Sequence, residues 1–313
     1  LALFSYSSVD RLYLIKLLSI AFDLLLAWSS MKLVSHFYNS IGVRIFTFFA
    51  VLFLPTVILN GAYWGQCDSI YAAFGVLALY LAFTDRPIGS MICFAASFAF
   101  KLQAVFLLPI IAVLWYRHRF SLWHALIFPA AYFVIVLPAV LMGRPLSDTL
   151  TLYLNQTGSI GGGLNYNSPS VFSFFLSSAD PVFWSRVGVL AAFAAMVIIL
   201  VWLYRNRSSL RDEAVLTAAV LFVVVIPFLL PHMHDRYFFC ADVLSLIFAV
   251  IFPRLCFVPV LCQFASLLGY HAYLKGWYLY PMSYGATALA IVIVVLIACI
   301  LYQLPARKLK KRR

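Results

Sequence analysis

The sequence predicts an all-α, polytopic transmembrane helix bundle of about 10–11 membrane segments, and three observations carry that prediction. Hydrophobic residues make up 65% of the 313-residue chain and charged residues only 10%, against ~25% charged in a soluble domain. The apolar runs are long and continuous rather than alternating every second residue, which favours helices over a barrel. Lys and Arg gather between or after those runs, as in the cytoplasmic loops of membrane proteins.

Taken in order, apolar runs cover 13–34, 43–60, 69–84, 122–142, 183–204, 214–231, 238–253, 255–271 and 285–303. A crossing needs ~20 residues, with a range of ~17–25, so several of these are short or tilted. The run from Ile88 to Tyr116 is interrupted by Phe100-Lys101-Leu102-Gln103. It is one long tilted helix or two short ones meeting at Lys101. Charge separates the alternatives. The basic tail 305–313 places the C-terminus in the cytoplasm, and alternation back along the chain brings 205–213 and 117–120 inside as well. Only the split reading also brings Arg86, Arg44 and Lys32 inside, so it satisfies the positive-inside rule better. The short halves must then thin the bilayer or re-enter it.

The net charge of +12 follows from this topology and does not point to nucleic acid. The tail is also suited to contact anionic headgroups of membrane lipids. The six cysteines have no CxxC pair and lie mostly inside apolar runs, as small buried hydrophobes do. The chain reads as a single transmembrane domain over 1–313 with one long outer polar loop at 143–182.

The split has a consequence for function. It brings Asn60-Gly61-Ala62-Tyr63-Trp64-Gly65-Gln66-Cys67-Asp68, Lys101 with Gln103, the 143–182 loop and Pro231-His232-Met233-His234-Asp235-Arg236-Tyr237 to one face. Charge at membrane depth is costly and marks sites. His232 and His234, with Asp235 as a third ligand, leave a divalent ion open, but no complete zinc set is visible. An aqueous cleft offering His234 and Arg236 to a phosphate fits better, since Arg presents a planar fork of donors. Asp68 is placed either as a helix N-cap or, with Gln66, as a cavity group beside Trp64, whose ring can stack on a sugar. Lys101 either snorkels or holds a lipid phosphate at the cavity mouth. The outer loop carries Asn155, Gln156 and Asn165 among glycines, a composition suited to covering a substrate. Lys16 and Asp23 are seven apart, on one face of the first helix, and are expected to neutralise each other or a neighbouring helix.

These motifs, in this order, resemble the GT-C superfamily of membrane glycosyltransferases, and most closely bacterial proteins similar to the second GPI mannosyltransferase. The likeness runs from Leu59 to Asp242, while the residues beyond carry only generic spans. The His232-Met233-His234-Asp235-Arg236 stretch is similar to the His-Glu-Lys type motif of dolichol-linked glucosyltransferases. The resemblance implies a GT-C-like fold in a bacterial plasma membrane. It also implies inverting transfer of a hexose, mannose-type, from a polyprenyl-phosphate sugar to a glycan or lipid acceptor on the outer face. His234, Arg236 and Asp235 would then be the catalytic group, with Lys101 joining His234 and Arg236 at the donor phosphate. Trp64, Gln66, Asp68, Gln103, Asn155, Gln156, His232 and Asn165 would contact substrate. No cofactor is implied. Such enzymes carry their catalytic base, usually Asp, in a first outer loop after a first helix. Only Leu1 to Leu12 precede the first span here, so an N-terminally incomplete enzyme lacking that base is expected. The rival expectation is a transporter or flippase of a lipid-linked or anionic solute.

Overall fold

The computed structural model describes residues 9–153, 162–175 and 180–304; Asn155, Gln156 and the basic tail lie outside them. The described chain is helical almost throughout. Six helices are long and apolar enough to cross a membrane, or up to seven if a pair bent by 45° counts as one span. The six are α1 (Arg11–Phe37), Leu122–Leu141 (which contains α7, Ile127–Leu141), α9 (Pro181–Arg205), α10 (Asp212–Leu229), Pro253–Lys275 (α12, Phe257–Lys275) and α13 (Met282–Gln303). The bent pair joins α2 (Ile41–Leu52) to α3 (Pro55–Ile58), which runs on into a π-helical turn at Leu59–Trp64. Shorter apolar helices are α4 (Asp68–Phe83), α5 (Pro87–Phe100), the segment Leu102–Tyr116 with α6 (Ile110–Tyr116), and α11 (Phe239–Ile251). The described residues of the 143–182 loop include a short helix, α8 (Leu146–Leu150), and a 3-10 turn at Val171–Phe174. The chain is thus a multi-pass membrane protein built as an all-α bundle.

Helix α10 is the hub. It is apolar on every side, the pattern of a helix enclosed by others, and Ala214 to Phe228 are all buried. At the periphery, none of the Leu122–Leu141 window is buried, so that helix offers its apolar surface to lipid.

Two polar ends cap the bundle, and the chain shuttles between them. At one end Asp212, opening α10, accepts from Arg117 Nη2 at 3.0 Å and lies 2.9 Å from His36 Nε2. Arg119 ties Asp212 to Asp85, which follows α4. Gln303 at the end of α13 bonds Thr217 at 3.2 Å, so the last helix finishes at this basic end. At the other end Lys101 pairs with Asp68 at the start of α4. The 88–116 run therefore leaves the Asp85 end, reaches Lys101, and returns to Arg117. It is split, as charge placement predicts. The helix stops at Phe100, Lys101 takes an extended conformation (φ −156°, ψ 134°), and a 3-10 turn over Leu102–Phe106 reverses the chain.

Candidate functional site

The site forms where three irregular segments meet at the Lys101 end. The first is Leu59–Trp64, wound as a π-helix and stopped by Gly65 in the left-handed region (φ 79°), which a residue without Cβ adopts freely. π turns inside helices are frequent at functional positions. Here the turn buries Asn60 and leads directly into Asp68. The second segment is the break at Lys101. The third is the stretch after α10. The residue before a proline is steered out of the helical region, and Leu230 before Pro231 is extended (φ −72°, ψ 139°), closing the helix.

Asp68 is the centre. It is 1% exposed and forms an ion pair with Lys101. Its Oδ2 accepts from Asn60 Nδ2 at 2.7 Å and lies 3.8 Å from Arg236 Nε. Asn60 Oδ1 in turn accepts the Asp68 backbone N–H at 3.3 Å, and Asn60 Nδ2 lies 2.9 Å from the Tyr270 hydroxyl. A buried carboxylate survives only when paired and hydrogen-bonded, and this one has both. Its side chain does not cap α4, whose N-cap is Cys67. Of the two sequence readings of Asp68, the N-cap is not observed; the carboxylate is buried in an ion pair with Lys101.

Above this centre lies an aromatic wall. The Arg236 guanidinium sits 5.2 Å from the Trp64 ring centroid, a cation–π distance. Trp64 meets Tyr273 at 4.5 Å between centroids and Tyr270 edge-on at 5.7 Å. The Lys101 ammonium lies 5.9 Å from the Tyr71 ring. Trp64, Asp68, Lys101 and Arg236 are therefore one constellation.

The flanking residues divide. The chain at 233–234 pairs in parallel with 165–166, Asn165 opposite Met233 and Tyr166 opposite His234. This lays the Tyr166 ring flat on the His234 imidazole, 4.7 Å between centroids at 12°. Burial and the Arg236 charge lower the His234 pKa, so at neutral pH the ring is an uncharged hydrogen-bonding group. Burial pushes the Asp235 carboxyl up to about 6, against the opposing pull of Arg236. Its Oδ1 accepts the Arg236 N–H at 3.0 Å, and its Oδ2 is buried without a hydrogen-bond partner among the described residues. Gln103 stands at the start of the 3-10 turn beside Lys101, half-buried, as is Gln66.

His232 and Asn165 serve the loop. His232 takes a left-handed backbone (φ 59°). Its Nδ1 lies 2.6 Å from the Gly163 carbonyl and its Nε2 3.0 Å from Ser185 Oγ. Both ring nitrogens are thus occupied away from His234. Asn165 closes a turn on Ser168, accepting its N–H at 2.9 Å and donating to its carbonyl at 2.8 Å. Among the described residues no three His, Cys, Asp or Glu side chains gather as a metal set. Asp23 is buried and bonded to Ser69 of α4, so its partner is the neighbouring helix rather than Lys16.

Sequence reasoning missed Asn60, Tyr270 and Tyr273 as site residues. The two tyrosines lie in α12, beyond the stretch that carried the resemblance. A signal existed: Gln263, Ser266, Tyr270 and Tyr273 recur at helical spacing and define one polar stripe on an otherwise apolar helix. Comparison with family models and with curated proteins finds no match for this chain.

Proposed function

We propose that the chain is an integral-membrane glycosyltransferase that moves a hexose from a polyprenyl-phosphate sugar to an acceptor. One observation carries this reading: Lys101 and Arg236, from separate elements, converge on a single buried carboxylate beside the Trp64–Tyr273 wall. Two cations held a few ångströms apart fit a lipid phosphate, and an aromatic face fits the sugar it carries. The basic end of the bundle satisfies the positive-inside rule as the cytoplasmic side, which puts this site on the outer face.

In the reaction the acceptor hydroxyl attacks the anomeric carbon, the bond from that carbon to the phosphate oxygen breaks, and the hydroxyl proton passes to water or to the departing phosphate. The electron pair leaves with the phosphate. Lys101 and Arg236 meet the charge that develops there, which is the electrostatic part of catalysis. Asp68 pairs with both cations and keeps them oriented. The donor is a phosphodiester with one negative charge, like the carboxylate; the departing phosphate monoester gains a second, and the two cations meet that added charge. Neutral His234 adds a hydrogen bond at the same edge, its ring fixed by Tyr166.

The test is transfer from a radiolabelled polyprenyl-phosphate mannose by the purified full-length protein in detergent. Arg236→Ala and Lys101→Ala should each lower turnover by about 10²–10³-fold, the range for losing one preorganised electrostatic donor. Uptake of the lipid-linked sugar into vesicles with no transfer product would instead identify a transporter and refute the enzyme.

A further inference from the structure

A cavity lies on the same end of the bundle, and nothing in the donor chemistry uses it. It measures about 740 Å³ and is bounded by Asn165, Asn167, Phe175, Tyr278 and Tyr280, with Pro281 at its edge. That volume falls within the ~300–1,000 Å³ of small-ligand sites. We infer that this cavity is the acceptor subsite and that its ligand is a hexopyranose ring of a glycan. The inference rests on the glycosyltransferase reading and supplies its missing second substrate.

Three features support it. The wall is aromatic and held in place from the far side of the sequence: the Tyr278 hydroxyl donates to Asn167 Oδ1, 111 residues away. Asn167 itself adopts a left-handed backbone (φ 56°), a conformation Asn tolerates better than most residues. Tyr280 is 55% exposed and meets the Tyr284 ring in a T-shaped contact at 6.3 Å between centroids. Aromatic faces next to amide side chains suit a sugar, which has apolar C–H faces and a rim of hydroxyls. An aromatic belt at the headgroup level would call for tyrosines, but not for a tyrosine–asparagine brace across a cavity.

Position is the third feature. Gly269 of α12 packs between the cavity loop and the ionic site. A Cβ there would stand 2.6 Å from the Asn167 carbonyl and 3.2 Å from Asp235 Cα. The cavity loop and the Asp235 backbone therefore pack on the same glycine, which sets the cavity beside the ionic site.

The experiment is saturation-transfer NMR on the purified protein in detergent, with methyl pyranosides of mannose, glucose, galactose and N-acetylglucosamine as probes. At least one should bind wild type. Binding should weaken about tenfold (about 1.4 kcal/mol) in Tyr280→Ala, persist in Tyr280→Phe, and persist in Arg236→Ala. Tyr280 is exposed, so its truncation leaves the fold intact, and a thermal melt confirms this. Absence of binding by all four sugars, or equal binding by wild type and Tyr280→Ala, overturns the acceptor subsite. Sugar transfer from the lipid donor is measured in parallel. Transfer that continues unchanged in Tyr280→Ala refutes this inference while leaving the enzyme intact. Absence of transfer in wild type, with sugar binding retained, refutes the enzyme instead.

Discussion

Removing the Lys101 ammonium tests the ionic centre most directly. In Lys101→Met the side chain keeps its length and loses its charge. Asp68, 1% exposed, then retains the Asn60 amide at 2.7 Å and Arg236 at 3.8 Å. Breaking a buried pair by deleting one partner costs about 3–5 kcal/mol, because the stranded charge cannot reach water. Asp68→Asn should cost less, about 1–2 kcal/mol, since the Lys101 and Arg236 side chains are 21% and 27% exposed and can turn outward. The double variant carries no stranded carboxylate, so its cost should fall short of the sum by about 2 kcal/mol, a coupling typical of residues in contact. At about 2 °C per kcal/mol for a chain of this size, Lys101→Met should melt about 6–10 °C below wild type in a common detergent. The Asp68→Asn/Lys101→Met double variant should melt level with Lys101→Met or up to about 2 °C above it, where simple additivity would put it about 2–4 °C below. Additive losses, or a Lys101→Met melt within about 1 °C of wild type, would refute the buried pair.

Three further outcomes follow from the geometry. Burial raises the Asp235 carboxyl from 3.8 to about 6, so the folded state holds that proton more tightly than the unfolded one. Asp235 stability is then fully present below about pH 4 and is lost as pH rises toward 6, by at most about 3 kcal/mol. His234, whose pKa burial lowers, works in the opposite direction, and Lys101, lowered to about 7 by burial, titrates above this window. The wild-type melting temperature minus that of Asp235→Asn isolates the carboxyl and should become more negative from pH 4 to pH 6.5; a flat difference refutes the shift. Gly269→Ala puts a Cβ against two backbones, and overpacking of that kind costs about 1–3 kcal/mol. It should lower the melting temperature and sugar transfer together. Finally, single cysteines at exposed Tyr63 and His118 should react with a membrane-impermeant maleimide from opposite faces of sealed vesicles. Labelling of both from one face would contradict the return of 102–116 to the basic end.

Much of the bundle was legible because lipid imposes a simple rule on sequence. Each run of apolar residues had to satisfy its own backbone as a helix, so the predicted 13–34, 183–204 and 285–303 runs fall inside α1, α9 and α13. The break at Lys101 was readable from charge, since only a returning segment brings Arg86 and Arg117 to the same end. The ionic centre was only half legible. Trp64, Asp68, Lys101 and Arg236 stood out as polar residues in an apolar text, and all four meet. Their relation did not stand out, because nothing local says that Asp68 will be the anion both cations share. That depends on how α4, α5 and the 231–238 loop pack together.

His232 shows the converse error. Sequence groups it with His234 by spacing, and in an extended strand residues two apart would share a face. The strand here covers only Met233–His234, and His232 precedes it in a left-handed conformation. The two rings therefore part. The left-handed turn at His232 swings its ring to Gly163 and Ser185, where it anchors the loop that carries Tyr166 onto His234. It acts on the site as a clamp on the covering loop. Replacing it should loosen the Tyr166–His234 stack before it touches the Lys101–Asp68–Arg236 charges.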